Sequence, residues 1–447
     1  MKKRGCSLTD FVHNLSWADV PDPVRRRLKL CLLDLVGCAL AGTRTPVFNC
    51  LLAFARGSFA SGRCTVIGYG PKIGPLGAAL VNAAATSALD LDDGYRPVMG
   101  HPGAAVFPAA LAVAEEVGAT GWEFLLALLV GYEVGIRAGL GLHRHYRYYH
   151  GTGSWGAVGA AAAAGRLLRL EPARLRQAMG IAEFHGPLTP ELRAVGEPTM
   201  VKDGIIWGSF VGASAALLAA AGFTGISTLL ELPRFRQLAA DLGRRWYILE
   251  LYFKPYSCCR WAHPAVDAAL ELARLHGIKA SDIGAITVYT FGEAARLRVV
   301  EPRTTEEAQF SLPWPVAAAV VDGTVGPAQV LDRLGDPEIV GLARRVRIRV
   351  DPELDRQFPM QTLARVELAL RDGRVLTSRV RCARGDAEDP MSEDELRTKF
   401  RRLAREVCGV QQAARIEAAI ERLEWAERIC EFAELLAGKE GADVADS

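Results

Sequence analysis

The hydrophobic period of this chain changes twice, and each change marks a change of architecture. From the start to about residue 265, apolar residues recur at helical spacing with readable starts and stops. Asp22 followed by Pro23 caps a helix that carries Leu28, Cys31, Leu32, Leu35 and Leu40 and closes at Gly42. Thr120 and Glu123 form a capping box before an apolar run through Val130. Ala-rich segments at 157–164 and 213–221 favour helix and disfavour strand. After about residue 280, period-two segments take over at 285–290, 346–350 and 363–370, the last joined through Asp372-Gly373 to 375–380 in a hairpin pattern. Ser392 and Glu395 then open another capping box, and charged helical sequence runs almost to the end. The expected fold class is mainly α with an inserted α+β lid domain. Residues 1–265 form an all-helical domain, 266–392 the lid, and 393–447 C-terminal helices that complete the helical domain. A cleft between the two is the default site. The acidic end after Gly438 reads as frayed.

Composition narrows the function. With 447 residues, half of them hydrophobic, the chain has enough apolar material for two domains. Lys plus Arg (53) nearly cancels Asp plus Glu (51), which removes the footprint of a protein that neutralises many phosphates, so no nucleic-acid partner is expected. The ten cysteines form no CxxC pair and no Cys/His ligand cluster, and adjacent Cys258 and Cys259 point apart in most conformations. Free thiols in a reducing compartment, the cytoplasm, are the expectation. The basic start MKKRG precedes an apolar run broken by Arg25–Lys29 and Asp34, which argues against a secretion signal. Gly204–Leu230 carries no charge and on length alone could span a bilayer, but Gly222 and Gly225 break it. It is expected to be a buried helix whose Gly208 and Gly212 admit a close neighbour, and no membrane partner is expected.

Four segments gather polar chemistry in apolar, Gly-rich surroundings. In LDLDDGYRPVMGHPG, Asp90, Asp92 and Asp93 precede His101, and a carboxylate near an imidazole can orient it for acid-base work. Solvated acids at a helix end, with His101 capping the helix after Pro102, are the equal alternative. In HRHYRYYHGTGSWGAVGAAAAAG, Gly151, Gly153 and Gly156 match GxGxxG, but no apolar strand precedes them, which sets a dinucleotide site aside. A glycine loop opening an Ala-rich helix still offers free backbone N–H groups to a carboxylate, with His150 at its mouth; a structural loop is the alternative. Lys202 and Asp203 stand where the uncharged helix begins, and such a lysine either snorkels or serves an anion. The stretch from Lys254 to Pro264 packs Lys254, Tyr256, Arg260 and His263 into a connector between helices. A GxSxG elbow, a Walker loop and HExxH are all absent, and His143, His145 and His150 do not make a closed ligand set, so no metal site is expected.

Together LDLDDGYRPVMGHPGAAVFPAALAVAEEVGATG, GYEVGIR, HGTGSWGAVGAAAAAGRLL, the Lys202 segment, KPYSCCRWAHPAVDAAL, EAQFSLPWPVAAAVVDG and DPMSEDELRTKF resemble the MmgE/PrpD family, in order from about residue 8 to 435. That family includes 2-methylcitrate dehydratase, cis-aconitate decarboxylase and iminodisuccinate epimerase. The resemblance implies a two-domain MmgE/PrpD-like architecture, chemistry without metal or cofactor, and usually a homodimer. Carried over residue by residue, it implies a catalytic set of Asp92, Asp93, His101, His150, Lys202 and His263, with Gly151, Thr152, Gly153, Lys254, Tyr256 and Arg260 binding substrate. His101 with Asp92 and His150 would then be acid-base groups, Lys202 an electrostatic anchor and His263 a second proton carrier. The implied activity is that of a hydro-lyase, 2-methylcitrate dehydratase-like, which abstracts a proton next to a carboxylate of a small di- or tricarboxylate. An epimerase, a cis-aconitate-type decarboxylase and a non-catalytic acid-binding relative are the alternatives. This chain departs from the common pattern where Asp-Gly-Ile-Ile-Trp follows Lys202, and where Gly151 and Ser257 stand in place of proline.

Overall fold

A computed structural model describes residues 7–146 and 148–438; Cys6 and the acidic end after Gly438 lie outside the described residues. Helices dominate the first half. Those that frame the site are α1 (Asp22–Gly42), α2 (Pro75–Ser87), α3 (Pro102–Val117), α4 (Gly121–His145), α5 (Thr152–Leu167), α6 (Ile205–Ala220) and α7 (His263–His276). Pro21 is the cap residue of α1, with Asp22 and Pro23 in its first turn, so the helix starts one residue earlier than expected. The Thr120/Glu123 capping box is formed and opens α4. The half is not wholly helical, because Ser61–Cys64 runs extended and bridges to Ile73.

The uncharged stretch is helical only in its first part, and that helix is not wholly buried, with Trp207 and Leu218 exposed. Helix α6 takes its first sixteen residues after Gly204, and the chain turns at Gly222 with φ 98°. It lies directly on α5: a Cβ on Gly208 would stand 2.6 Å from the Gly153 carbonyl, and one on Gly212 would stand 2.4 Å from the Ala160 Cβ. Among the described residues one helix, α4, is long and apolar enough to cross a membrane, and 94% of its most apolar window is buried inside the protein.

The later part carries β1 (Ile283–Thr290), β2 (Val346–Val350), β3 (Leu363–Leu370), β4 (Val375–Thr377) and β5 (Arg381–Cys382). The sheet order is β2-β1-β3-β4, with β5 also on β3; β1 and β2 are parallel and the other pairs antiparallel. The hairpin turns at Gly373, whose φ is 91°, and pairs Ala369 with Val375. Its second strand stops at Thr377 and not at Val380, because the Ser378 hydroxyl accepts the Val366 N–H at 2.9 Å and ends the regular ladder. Inward residues Ile286, Val288, Val366 and Leu368 form a second core with Trp314 and the face of α7.

The final long helical segment, α8 (Glu393–Glu421), broken by a kink at Gly409 with φ 80°, opens on the Ser392/Glu395 capping box and returns to the N-terminal half. Leu396, Phe400 and Ile416 join the core built by α1 to α6, and Lys399 places its ammonium 2.6 Å from the buried carboxylate of Asp34.

Two glycine substitutions should move stability in opposite directions. Gly208→Val drives side-chain atoms into backbone and is expected to cost about 3 kcal/mol, at the upper end of overpacking effects. Gly57, in the helix Pro46–Ser58 with open space around it, should gain up to about 1 kcal/mol when replaced by alanine. Chemical unfolding of both variants checks this, and destabilisation of equal size would refute the close-approach argument.

Candidate active site

The site begins where α2 ends. A helix terminus leaves four carbonyls without intrahelical partners, and here that terminus is buried. Lys202 answers it, donating to the carbonyls of Ser87 at 2.5 Å and Ala88 at 3.4 Å and to Gln309 Oε1 at 2.9 Å. Gln309 in turn donates to Ala88 O, the Ser257 hydroxyl to Leu89 O and Lys399 to Leu91 O. The chain then turns through Asp90 at φ 51° and presents three acids in four residues.

His101 stands opposite them, at the start of α3, with its backbone N–H on the Thr152 hydroxyl at 3.0 Å. Its Nδ1 lies 2.9 Å from the Asp93 carbonyl and 3.3 Å from Asp92 Oδ2; its Nε2 lies 3.6 Å from Asp203 Oδ2 and 3.8 Å from Asp90 Oδ1. Burial alone would lower the pKa of this ring, but the Asp92 carboxylate outweighs it and lifts His101 to about 9. Asp90 moves the other way: burial would raise it, but Lys254 at 2.7 Å, with Lys202 and His101, lowers it to about 2. Asp93 turns aside, accepting from the Tyr132 hydroxyl and the Gly103 N–H, and burial pushes it up to about 7.

A small cleft opens over His101. Its polar wall holds Asp90, Asp203, Glu191, Arg96 and Arg260, and its apolar wall includes Trp261, Phe310 and Phe358. Glu191 and Asp203 face each other, and burial together with the neighbouring Asp203 pushes the Glu191 carboxyl well above the usual carboxylate range. Neither was among the expected site residues. Glu191 sits in an ordinary polar stretch with no motif around it, whereas Asp203 stands next to Lys202. Lys202 at φ 42° and Gly204 at φ 67° make a left-handed turn that sends the two side chains to different places.

The expected residues are thus only partly brought together. His101, Asp92, Lys254 and Arg260 meet at or just behind the cleft wall. Lys202 is spent on the end of α2 and is absent from the cleft lining. The His263 ring lies behind the wall with Nε2 3.1 Å from the Cys258 carbonyl, and burial with nearby Lys254 drives its pKa well below normal. His150 is enclosed with its ring centroid 3.9 Å from that of Tyr148, and burial and His143 lower it to about 4. The Tyr256 hydroxyl donates to Asp267. The expected free N–H groups of the glycine loop are a correction: Gly151 donates to Thr189 O and Gly153 to Asp203 O, because α5 begins pressed against that backbone. Asp90, Asp92 and His101 each offer one ligand atom within 4.8 Å of the others, a grouping that could hold a cation, although Lys254 already sits against Asp90.

The ring of His101 makes stability depend on pH. Its folded pKa, about 9, exceeds the unfolded 6.5, so its contribution is fully present below pH 6.5 and is lost as pH rises through 9. The shift corresponds to a contribution on the order of 3 kcal/mol. Unfolding curves of the wild type and His101→Gln should therefore converge between these limits, and a gap that stays constant with pH would contradict the pairing with Asp92.

The MmgE/PrpD N-terminal domain matches residues 6–237 and the MmgE/PrpD C-terminal domain residues 256–425. Over 464 residues the chain is 28% identical to a cis-aconitate decarboxylase of Aspergillus terreus (strain NIH 2624 / FGSC A1156), which covers 95% of this chain and 94% of the relative. It is 27% identical to the cis-aconitate decarboxylase-like protein oryM of Aspergillus oryzae over 97% of both, and 26% identical to a cis-aconitate decarboxylase of Mus musculus over 98% and 94%. With both domains matched in order and the helical body, lid sheet and returning helix in place, the chain belongs to the MmgE/PrpD family.

Proposed function

We propose that this protein is a lyase that releases carbon dioxide from a small unsaturated tricarboxylate of the cis-aconitate kind. The observation that carries the reading is the His101 ring at the cleft wall, with Nδ1 3.3 Å from Asp92 and Nε2 3.6 Å from Asp203. Against burial, these carboxylates favour the imidazolium and raise its pKa to about 9, so the ring has a proton to give. Decarboxylation needs such a donor. As carbon dioxide leaves, the electron pair of the broken C–C bond forms a new double bond. The pair of the old double bond then takes the proton at the far carbon, and the imidazolium returns to imidazole. The positive ring also offsets the negative charge that builds on the remaining carboxylate during this shift.

Dehydration, the activity favoured on sequence, is the second reading. It begins by taking a proton from carbon, and ionised Asp90, 3.8 Å from His101 Nε2, supports it. Lys254 already occupies that carboxylate, which makes it a weak base and leaves decarboxylation in front. A homodimer and a cytoplasmic location belong to the same proposal. Exposed Trp207, Leu218 and Phe223 on and just after α6 support a subunit interface, and the nine described cysteines, all free, support a reducing compartment. Sedimentation as a monomer at micromolar concentrations would remove the dimer.

Incubation with cis-aconitate in D2O should release carbon dioxide and place deuterium on the product, followed by NMR and mass spectrometry. New alkene from 2-methylcitrate or citrate, with no carbon dioxide from cis-aconitate, would transfer the assignment to dehydration. The rate should be steady through neutral pH and fall as pH rises through 9, where His101 loses its proton. His101→Gln should lower kcat by about 100-fold or more, the usual weight of a proton donor. The same reaction should proceed in excess EDTA; loss that a divalent cation restores would instead make Asp90, Asp92 and His101 a metal site.

A further inference from the structure

Both guanidinium groups that line the cleft are held by acids of a single turn. Arg260 donates through Nε to Asp386 Oδ1 at 2.8 Å and through a second nitrogen to Asp386 Oδ2, and it stacks 4.7 Å over the Tyr252 ring. Arg96 grips Glu388 in the same two-pronged way, at 2.7 and 3.1 Å, and lies 3.7 Å from Asp386. The turn has other contacts besides these. The Gly385 N–H donates to Asp389 O at 2.7 Å, the Arg384 N–H donates to the Asp267 carboxylate at 2.8 Å, and Gly385 at φ 100° presses on the Phe253 carbonyl.

The lysines near the site are committed elsewhere, Lys254 to Asp90 and Lys202 to helix carbonyls. The remaining polar wall holds His101 among the acids Asp90, Asp203 and Glu191. An anionic ligand therefore finds Arg96 and Arg260 beside His101, and takes the paired N–H groups that now hold Asp386 and Glu388 by replacing those carboxylates. A guanidinium does not distinguish an internal carboxylate from an external one of the same geometry, and exchange keeps the number of charge-assisted bonds constant.

We propose that Asp386 and Glu388 are built-in stand-ins for substrate carboxylates, and that Arg96 and Arg260 form a clamp that accepts a ligand bearing at least two carboxylates by exchange with this acidic turn. The proposal rests on the reading of the cleft as a polycarboxylate site. It adds the residues that select the ligand and a threshold: a monocarboxylate can replace only one of the two internal partners.

Calorimetric titration with tricarballylate, a saturated tricarboxylate, and with butyrate tests it. The double variant Asp386→Asn/Glu388→Gln keeps side-chain shape and removes both competing charges, and should bind tricarballylate about 100-fold more tightly, about tenfold for each charge-assisted competitor lost. Arg96→Ala should bind it about tenfold more weakly and leave butyrate unchanged. Should the double variant fail to fold, Glu388→Gln alone, on a side chain 40% exposed, must still shift affinity in the same direction. Unchanged or weaker tricarballylate binding in a folded acid variant, or equal weakening of both ligands in Arg96→Ala, overturns the clamp. If cis-aconitate is not turned over and tricarballylate still tightens, the clamp stands and the decarboxylase reading falls. If cis-aconitate is turned over and tricarballylate affinity is unaltered, the clamp falls and the decarboxylase reading stands.

Discussion

A buried helix end and the buried turn that follows it must have their carbonyls answered, and in this protein that requirement assembles the site. The carbonyls of Ser87, Ala88, Leu89 and Leu91 are met by side chains at 202, 257, 309 and 399, drawn from the helical body, the connector, the lid and the returning helix. Each donor is buried, and each would be costly to remove, because a buried acceptor left without a partner loses its full solvation. The backbone that carries Asp90, Asp92 and Asp93 is therefore held by every major part of the fold. Lys202 meets two of these carbonyls and is absent from the cleft lining.

The acids on that backbone behave differently although they are neighbours in the chain. Asp90 is pinned near 2 by a lysine, while Asp93, turned toward a tyrosine and deeper in the protein, is pushed to about 7. His101 across from them is raised to about 9. Environments that pull titratable neighbours apart in this way are how one fold separates acid and base roles at a single pH. Burying so many charges contributes little net stability, and breaking one pair leaves an uncompensated charge. The cluster is held in place by helices packed almost backbone to backbone, as at Gly208 and Gly153.

Much of this was legible in the sequence where the signal is local. The capping boxes at Thr120 and Ser392, the hairpin at Gly373 and the uncharged helix each follow from residues within a few positions of one another. The Asp/His segment was legible as chemistry, and Asp92 does pair with His101. What local pattern could not convey is direction. Lys202, His150 and His263 look alike as polar residues in apolar settings, but one caps a helix and the other two turn into enclosed pockets. Glu191, Arg96 and the acids at 386 and 388 matter only through partners that fold to them from far along the chain, and no spacing rule reports such meetings.

The return of the last long helix to the first has a consequence for how the protein is made. Asp34 lies in the interior of α1 with its carboxylate against Lys399, 365 positions later, and Phe400 fills the space over Gly37. A ribosome delivering the chain from its N-terminus thus exposes a helix whose inner acid and apolar groove have no partner until nearly the whole protein has emerged. The helical body cannot close early as an independent unit. Its longest loop is closed last, at an entropic cost that grows slowly with length, and a truncation that spares every residue around the cleft but removes α8 would leave α1 with a charge facing an empty seam.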